Sequence, residues 1–444
     1  MTATDTHRAI ETVFRIERAM LIAGLTRIVR DVGLAEELAQ DALVAALEQW
    51  PSSCIPDRSG AWLMATGKHR ALDALRRRKL VARKHDEFGR ELEIDQEQVP
   101  DPDASLDDDI GDDLLRLVFT ACHPVLSTEG QVALTLKLLG GLTTEEIARA
   151  VLVAEPTIAQ RIVRAKRTLA EKRVPFEVPH GEELGERLSS VLSVIYLIFN
   201  EGYSATAGED WMRPSLCGEA LRLGRILAGL AGEKPEVHGL VALMEIQASR
   251  FHARTGRSGE PVLLLDQNRA RWDQLLIRRG LAALERAEAQ GKALQRAPGP
   301  YVLQASIAAC HARAAKAEDT DLARIVGFYG ALADVTPSPI VELNRAVALA
   351  MLFGPEAGLA IVDALGAEPA LKSYHLLPSV RGDLLAKLGR NTEARAEFER
   401  AASMTRNAQE QALLLRRAAA CIEGLTDRKE PPVGFGTESG TRNS

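Results

Sequence analysis

Apolar residues recur at helical spacing over most of this chain, and the clearest stretch runs from Gly140 to Lys172. Thr143 stands three residues before Glu146, the spacing at which a Thr hydroxyl takes an orphan backbone N–H and the Glu reaches back. Leu142 and Ile147 flank it as a hydrophobic staple. The pattern predicts a short helix from there to about Leu152. Pro156 then suits the first turn of a second helix, where its missing N–H costs nothing. In that helix Ile158, Ile162, Ala165 and Leu169 form one apolar stripe. Gln160, Arg161, Arg164, Lys166, Arg167, Lys172 and Arg173 take the remaining positions, and no acid interrupts from Thr157 to Ala170. A capped short helix followed by a one-sided basic helix predicts a helix-turn-helix that sets its second helix on DNA.

Upstream, residues 7–80 read as a first helical unit. A turn at Asp31-Val32-Gly33 precedes a helix from Leu34 to Trp50, with Glu37, Gln40, Asp41 and Glu48 on its polar face and Pro51 at its end. The loop 51–60 leads to a helix from Ala61 that becomes strongly basic toward its C-terminus, where cations suit the dipole. Residues 81–112 are acidic, hold prolines and lack a period, as a linker does. Residues 113–173 give two helices, broken at His123-Pro124, and then the helix-turn-helix. A second linker covers 174–183.

Residues 184–425 are almost continuously helical, with breaks at Asn200–Arg213, Gly232–Pro235, Gly256–Pro261, Pro298–Pro300, Pro337–Pro339 and Gly354–Pro355. Near the end, Leu385 and Gly389-Arg390 close one helix, while Ala394, Phe398 and Ala401 take the small and aromatic positions of the next. That is the pattern of a tetratricopeptide-type hairpin. Residues 338–366 follow the same logic. Residues 426–444 are expected to be a disordered tail. The fold class is therefore all-α: two small helical domains, the second a helix-turn-helix, followed by a helical-repeat domain that offers a scaffold for protein or peptide contact.

Composition agrees. Of 444 residues, 46% are hydrophobic but only 4% aromatic, which favours packed helices over sheets. The net charge is -6, so any DNA contact must come from local basic patches. Cys54, Cys122, Cys217, Cys310 and Cys421 form no C-x-x-C pair, so neither a disulfide framework nor a zinc site is expected, and a reducing cytoplasm fits. The N-terminal stretch is charged throughout, with no signal peptide. The longest apolar run, Val191 to Phe199, is half of a membrane span. No cofactor or metal is expected, nor an enzyme: Glu201, Asp266 and Asp273 lack an accompanying base, nucleophile or ligand spacing.

These residues together resemble the bacterial extracytoplasmic-function sigma factors of the sigma-70 family, in the group with a long tetratricopeptide-like C-terminal extension. The stretch AEELAQDALVAALEQW is similar to the helix that docks on core RNA polymerase. The resemblance implies contacts from Glu37, Gln40 and Asp41 to the β′ clamp helices, with the β flap as a further polymerase contact. AWLMATGKHRALDALRR resembles the –10 element helix, which implies DNA contacts from Trp62, Lys68, His69, Arg70, Arg76 and Arg77, with Asp73 orienting a neighbouring Arg. The loop 51–60 falls where the family captures a flipped base. The helix-turn-helix resembles the –35 reader, with Thr157, Gln160, Arg161, Arg164 and Arg167 at the DNA. Departures from the family pattern are His69 in place of Asn, Leu152 in place of a turn Gly, Ala154 in place of a capping Ser, and the apolar Ala159 and Val163 on the reader helix.

In the extension, Asn200-Glu201-Gly202-Tyr203, Asp266-Gln267-Asn268-Arg269 with Trp272-Asp273, and Gly299-Pro300-Tyr301 resemble recurrent motifs of that group. They read either as caps and turns or as a regulatory surface. The resemblance implies core RNA polymerase and promoter DNA as partners, and a small YCII-like protein as a further one; no membrane attachment is expected, and the size and repeat character of the extension point to control in cis. The alternatives are a helix-turn-helix transcriptional regulator with a TPR-like sensor domain, and a repeat scaffold with a degenerate N-terminal half.

Overall fold

The computed structural model describes residues 3–86, 110–151, 153–205, 207–208, 211–256 and 260–426. Among them are eighteen α-helices and a single two-residue strand pair. The chain is all-α, as its periodicity predicts, and it divides into two compact units. One runs to Tyr203 and resumes over Arg213–Met244; the other holds 204–212 and the chain from Glu245 onward.

The first unit begins with three mutually packed helices, α1 (Ala3–Val29), α2 (Val32–Ser53) and α3 (Ser59–Asp86). Helix α2 starts two residues earlier than the hydrophobic pattern predicts, because the Asp31 carboxylate accepts the N–H of Leu34 at 3.0 Å. It also runs past Pro51 to Ser53. The Ser52 and Ser53 hydroxyls each donate to the Gln49 carbonyl at 2.9 Å and close its end. Trp50 is 1% exposed and anchors this core, with the Trp62 ring set edge-on at 5.2 Å.

Next come α4 (Ile110–Ala121), α5 (Thr128–Leu138), α6 (Thr144–Val151) and α7 (Glu155–Glu171). The break at His123-Pro124 falls between α4 and α5, and Ser127 caps α5 by accepting the N–H of Gly130 at 3.2 Å. Helix α7 lays its apolar stripe on α5 and α6, while α4 packs on α1. The unit continues with α8 (Gly181–Tyr203), α9 (Pro214–Leu230) and the start of α10 (Pro235–Ala248). Helix α8 packs on α4, α5 and α9. It runs through Asn200 to Tyr203, three residues beyond the start of the expected break.

The second unit is a succession of helices that pack on their neighbours: α11 (Gln274–Ala293), α12 (Pro300–Arg313), α13 (Leu322–Val335), α14 (Pro339–Phe353), α15 (Pro355–Leu365), α16 (Leu376–Lys387), α17 (Asn391–Met404) and α18 (Ala408–Thr426). Prolines open α12, α14 and α15, the position where they disturb least. A parallel pair, β1 (Ala207–Gly208) and β2 (Arg406–Asn407), joins the two ends of this unit, and Asn407 Nδ2 donates to the Ala205 carbonyl at 3.2 Å.

The α16–α17 pair shows the repeat logic. Helix α16 ends in a left-handed Gly389 (φ 75°), with the Arg390 N–H on the Leu385 carbonyl and the Gly389 N–H on Ala386, both at 2.9 Å. Phe398 is buried among Leu385, Ala394 and Ala401, and its ring lies directly over Gly382. A Cβ at 382 would stand 2.9 Å from that ring. Gly382→Ala is therefore expected to cost about 1–3 kcal/mol through overpacking. Hydrogen exchange should show faster amides across α16 and α17 and unchanged protection in α1–α3.

Candidate nucleic-acid and polymerase interface

The reader element is built as its sequence predicts at its entry. The Thr143 N–H donates to Glu146 Oε2 at 2.7 Å, and the Glu146 N–H donates to Thr143 Oγ1 at 3.0 Å, a closed capping box. Helix α7 opens with Pro156 in its first turn, and Ala154 at the N-cap supplies no side-chain bond. Ile158, Ile162, Ala165 and Leu169 are buried. Thr157, Gln160, Arg164 and Arg167 are exposed and Arg161 is half-buried, so the five –35 candidates share the solvent side of one helix. Ala159 and Val163 lie among them, Val163 at 64% exposure, where a methyl can meet a thymine methyl. Arg167 reaches Glu171 at 3.3 Å, and Leu152 lies outside the described residues.

On α2, Glu37, Gln40 and Asp41 are exposed, and Val44 beside them is 49% exposed although α2 is otherwise deeply packed. On α3, His69, Arg76 and Arg77 are exposed and Lys68 and Arg70 half-buried. Arg70 pairs with Asp41 at 3.3 Å and Arg76 with Asp73 at 3.4 Å. Both are solvent-facing pairs, worth little on their own. Trp62 is half-buried and meets Trp50 edge-on.

Three arginines that the sequence does not single out hold the reader's framework. Arg187 of α8 donates to the Phe119 carbonyl at 3.1 Å. Arg222 of α9 donates to the Leu139 carbonyl, and Arg213, just before α9, to the Ala150 carbonyl at 2.7 Å. Those carbonyls lie at the C-terminal ends of α4, α5 and α6, where backbone oxygens lack helical partners and the dipole favours a cation. Carboxylates orient each arginine: Glu183 to Arg187 at 2.9 Å, Glu219 to Arg222 at 2.5 Å, and Glu201 to Arg213. Only the Glu183–Arg187 and Glu219–Arg222 spacings are visible along the sequence; their targets are 68 and 83 residues away.

The extension motifs fall into this framework or into the second unit's own core. Asn200 and Glu201 are half-buried, and Glu201 binds Arg213. Gly202 admits the start of α9 so closely that a Cβ would lie 2.7 Å from the Cys217 nitrogen. Tyr203 stacks on Phe199 at 5.6 Å. In the second unit, Gln267 is buried with Nε2 on the Val262 carbonyl at 3.1 Å, and Trp272 and Tyr301 are buried. Asp273 caps α11 by accepting the N–H groups of Leu275 and Leu276 at 2.8 and 3.0 Å. Arg269 lies over Trp272 at 4.9 Å and donates to the carbonyls of His311 and Ala314 and to Thr320 Oγ1. Asp266 remains exposed.

Burial, then Arg250 and Arg269, push the His311 imidazole down to about 4. The unfolded chain takes up a proton near pH 6.5 that folded His311 refuses. Stability tied to this group is therefore complete above about pH 6.5 and falls toward pH 4, by at most about 3 kcal/mol. His311→Gln should flatten that part of the pH dependence in urea unfolding followed at pH 7 and pH 4.5.

Comparison with known proteins matches residues 13–81 to sigma-70 region 2, residues 116–169 to sigma-70 region 4, and residues 187–288 to a family of unknown function (DUF6596). An uncharacterized protein of Rhizobium meliloti (strain 1021) is 42% identical over 399 residues, covering 89% of this chain and 92% of its own length. The crystal structure of yeast Tom70 covers 97% of this chain and 86% of its own at a TM-score of 0.36 and 10% identity, too weak a likeness to indicate a shared fold. No helix among the described residues is long and apolar enough to cross a membrane. The chain belongs to one family with the rhizobial protein, and its two sigma-70 regions with a helical-repeat extension behind them make it a sigma factor of the extracytoplasmic-function type, a specificity factor for promoter-directed transcription initiation.

Proposed function

We propose that the protein docks on core RNA polymerase through α2 and carries promoter DNA on α3 and α7, with the extension modulating that activity in cis. The observation that carries the docking assignment is the exposed strip of Glu37, Gln40, Asp41 and Val44 on a helix whose other faces are packed. A mixed charged and apolar strip of this kind suits the clamp helices of the β′ subunit, with region 4 on the β flap. Lys68, His69, Arg70, Arg76 and Arg77 neutralise phosphates of the –10 segment, and the half-buried Trp62 stacks on an unpaired base. Thr157, Gln160, Arg161, Arg164 and Arg167 meet the –35 duplex in the major groove. The arginine bonds from α8 and α9 to the reader's helix ends support a role for the extension in setting the reader's geometry.

Run-off transcription from the promoter of the protein's own operon, with purified core polymerase, tests the whole reading. Transcripts that depend on the protein are expected, and tight binding to a duplex site without any polymerase binding would instead indicate an ordinary regulator. Within the docking assignment, Asp41→Arg should weaken polymerase binding by roughly tenfold or more and leave –35 duplex binding within about twofold. Arg164→Ala should do the reverse: weaker duplex binding at every sequence tested, a salt slope shallower by about one, and unchanged polymerase affinity.

A further inference from the structure

The chain leaves the first unit at Tyr203 and re-enters it at Arg213, and the stretch Ser204–Met212 between them belongs to the second unit. Both ends of that excursion lie in the arginine framework of the reader. The Arg213 N–H donates to the Gly202 carbonyl at 2.7 Å. Its side chain is paired with Glu201 and donates to the Ala150 carbonyl at 2.7 Å, in the last turn of α6. Further out, the Ala205 N–H donates to the Trp211 carbonyl at 2.9 Å. Two successive cross-links therefore close the base of the excursion. Planar peptides leave little slack over so few residues, so a shift of one limb carries the other.

The second unit holds the outer part of the excursion at three points. Ala207 and Gly208 pair in parallel with Arg406 and Asn407. Asn407 Nδ2 donates to the Ala205 carbonyl at 3.2 Å. The Arg254 guanidinium lies 4.3 Å from the centre of the Trp211 ring. Asn407 is 1% exposed and also caps α18: its Oδ1 accepts the N–H groups of Gln409 and Glu410 at 3.1 and 3.2 Å. Thr405 Oγ1 accepts the Asn407 N–H at 3.2 Å and donates to the Glu410 carboxylate at 2.7 Å. His375, just before α16, meets the other oxygen of that carboxylate at 2.9 Å. One amide side chain thus serves two tasks with two atoms. Its oxygen caps the last described helix, and its nitrogen holds the excursion.

Helix packing alone does not call for this excursion. The Gly202 carbonyl and the Arg213 N–H are already in hydrogen-bond contact, so a connection of about three residues would join α8 to α9. The chain instead runs out to the second unit, pairs with β2, and returns to the arginine that reaches the end of α6.

We propose that Asn407 is a positioning residue of the DNA reader: through Ser204–Met212 it fixes the Arg213 side chain on the end of α6, so that the last helices of the repeat array set the geometry of the helix-turn-helix. The inference deepens the proposed control in cis and rests on that reading. Its route is a series of discrete hydrogen bonds: Asn407 to Ala205, Ala205 to Trp211, Arg213 to Gly202, and Arg213 to Ala150.

Asn407→Ser tests this in the full-length chain. Serine keeps a cap for α18 and lacks the amide donor that reaches Ala205. Amides of α6 should exchange faster by roughly tenfold, with α1–α3 unchanged. Affinity for a duplex carrying the –35 half of the operon promoter should fall by roughly fivefold or more. Arg213→Gln should lower that affinity to a similar degree. Because the two residues act in series, the double variant should bind within about twofold of Arg213→Gln alone, whereas independent effects would multiply. Gly382→Ala disturbs the α16–α17 contact of the same unit and should leave duplex affinity within about twofold. Asn407→Asp, which keeps the cap and turns the donor into an acceptor, repeats the test should the serine variant fail to fold. Unchanged α6 exchange in a folded Asn407 variant, losses that multiply in the double variant, or an equal loss from Gly382→Ala would overturn the assignment. If the unaltered protein binds no such duplex and yields no transcript, the sigma-factor reading falls instead, and α6 exchange still decides whether Asn407 acts on the helix before the reader.

Discussion

Three guanidinium groups determine how this molecule holds its DNA reader. Helices α4, α5 and α6 end inside the first unit, and a helix end leaves carbonyls that need partners. Arg187, Arg222 and Arg213 supply them from α8 and its neighbour α9. Hydrogen bonds from charged donors are worth about 1.5–3 kcal/mol each, and more is lost when a buried acceptor is stranded. Region 4 and the first two helices of the extension are therefore one folded object. The match to sigma-70 region 4 stops at residue 169 and the match to the extension family begins at residue 187, the first capping arginine itself. A chain cut between them would leave the ends of α4, α5 and α6 without those donors.

The same arithmetic explains how a chain of net charge -6 presents basic helices. Several of the first unit's cations face inward: Arg18, Lys137 and Lys166 converge on Glu36, and the capping arginines converge on backbone oxygens. Among the described side chains, Arg164 and Arg167 stay outward on α7 and Arg76 and Arg77 on α3. The first unit thus exposes fewer of its described cations than a count of its lysines and arginines suggests.

What the sequence made legible is what local chemistry decides. The Thr143–Glu146 box, the stripe from Ile158 to Leu169, the prolines that open α12, α14 and α15, and the small and aromatic positions around Phe398 are each set within a turn or two of chain. Glu36 could not be found that way. It is one more acid beside Glu37, and its burial depends on α1, α5 and α7 arriving from up to 130 residues away. The start of α2 at Val32 and its passage through Pro51 were missed for a smaller reason: side-chain caps from Asp31, Ser52 and Ser53 extend a helix that its apolar pattern alone would have ended sooner.

The recurrent motifs of the extension separate into two kinds once their contacts are known. Asp273 caps α11, Arg269 ties carbonyls of α12 and its following turn, and Trp272 and Tyr301 fill the core, so these residues fix the second unit's internal geometry. Asn200-Glu201-Gly202-Tyr203 belongs to the first unit, and its logic points elsewhere. Gly202 lets α9 start hard against α8, its carbonyl accepts the Arg213 N–H at 2.7 Å, and Glu201 aims the Arg213 side chain at Ala150. Ala150 lies in the last turn of α6, the helix that precedes the reader. A motif that looks like an exposed turn in the sequence is thus a joint, and what it positions is the framework of the helix-turn-helix.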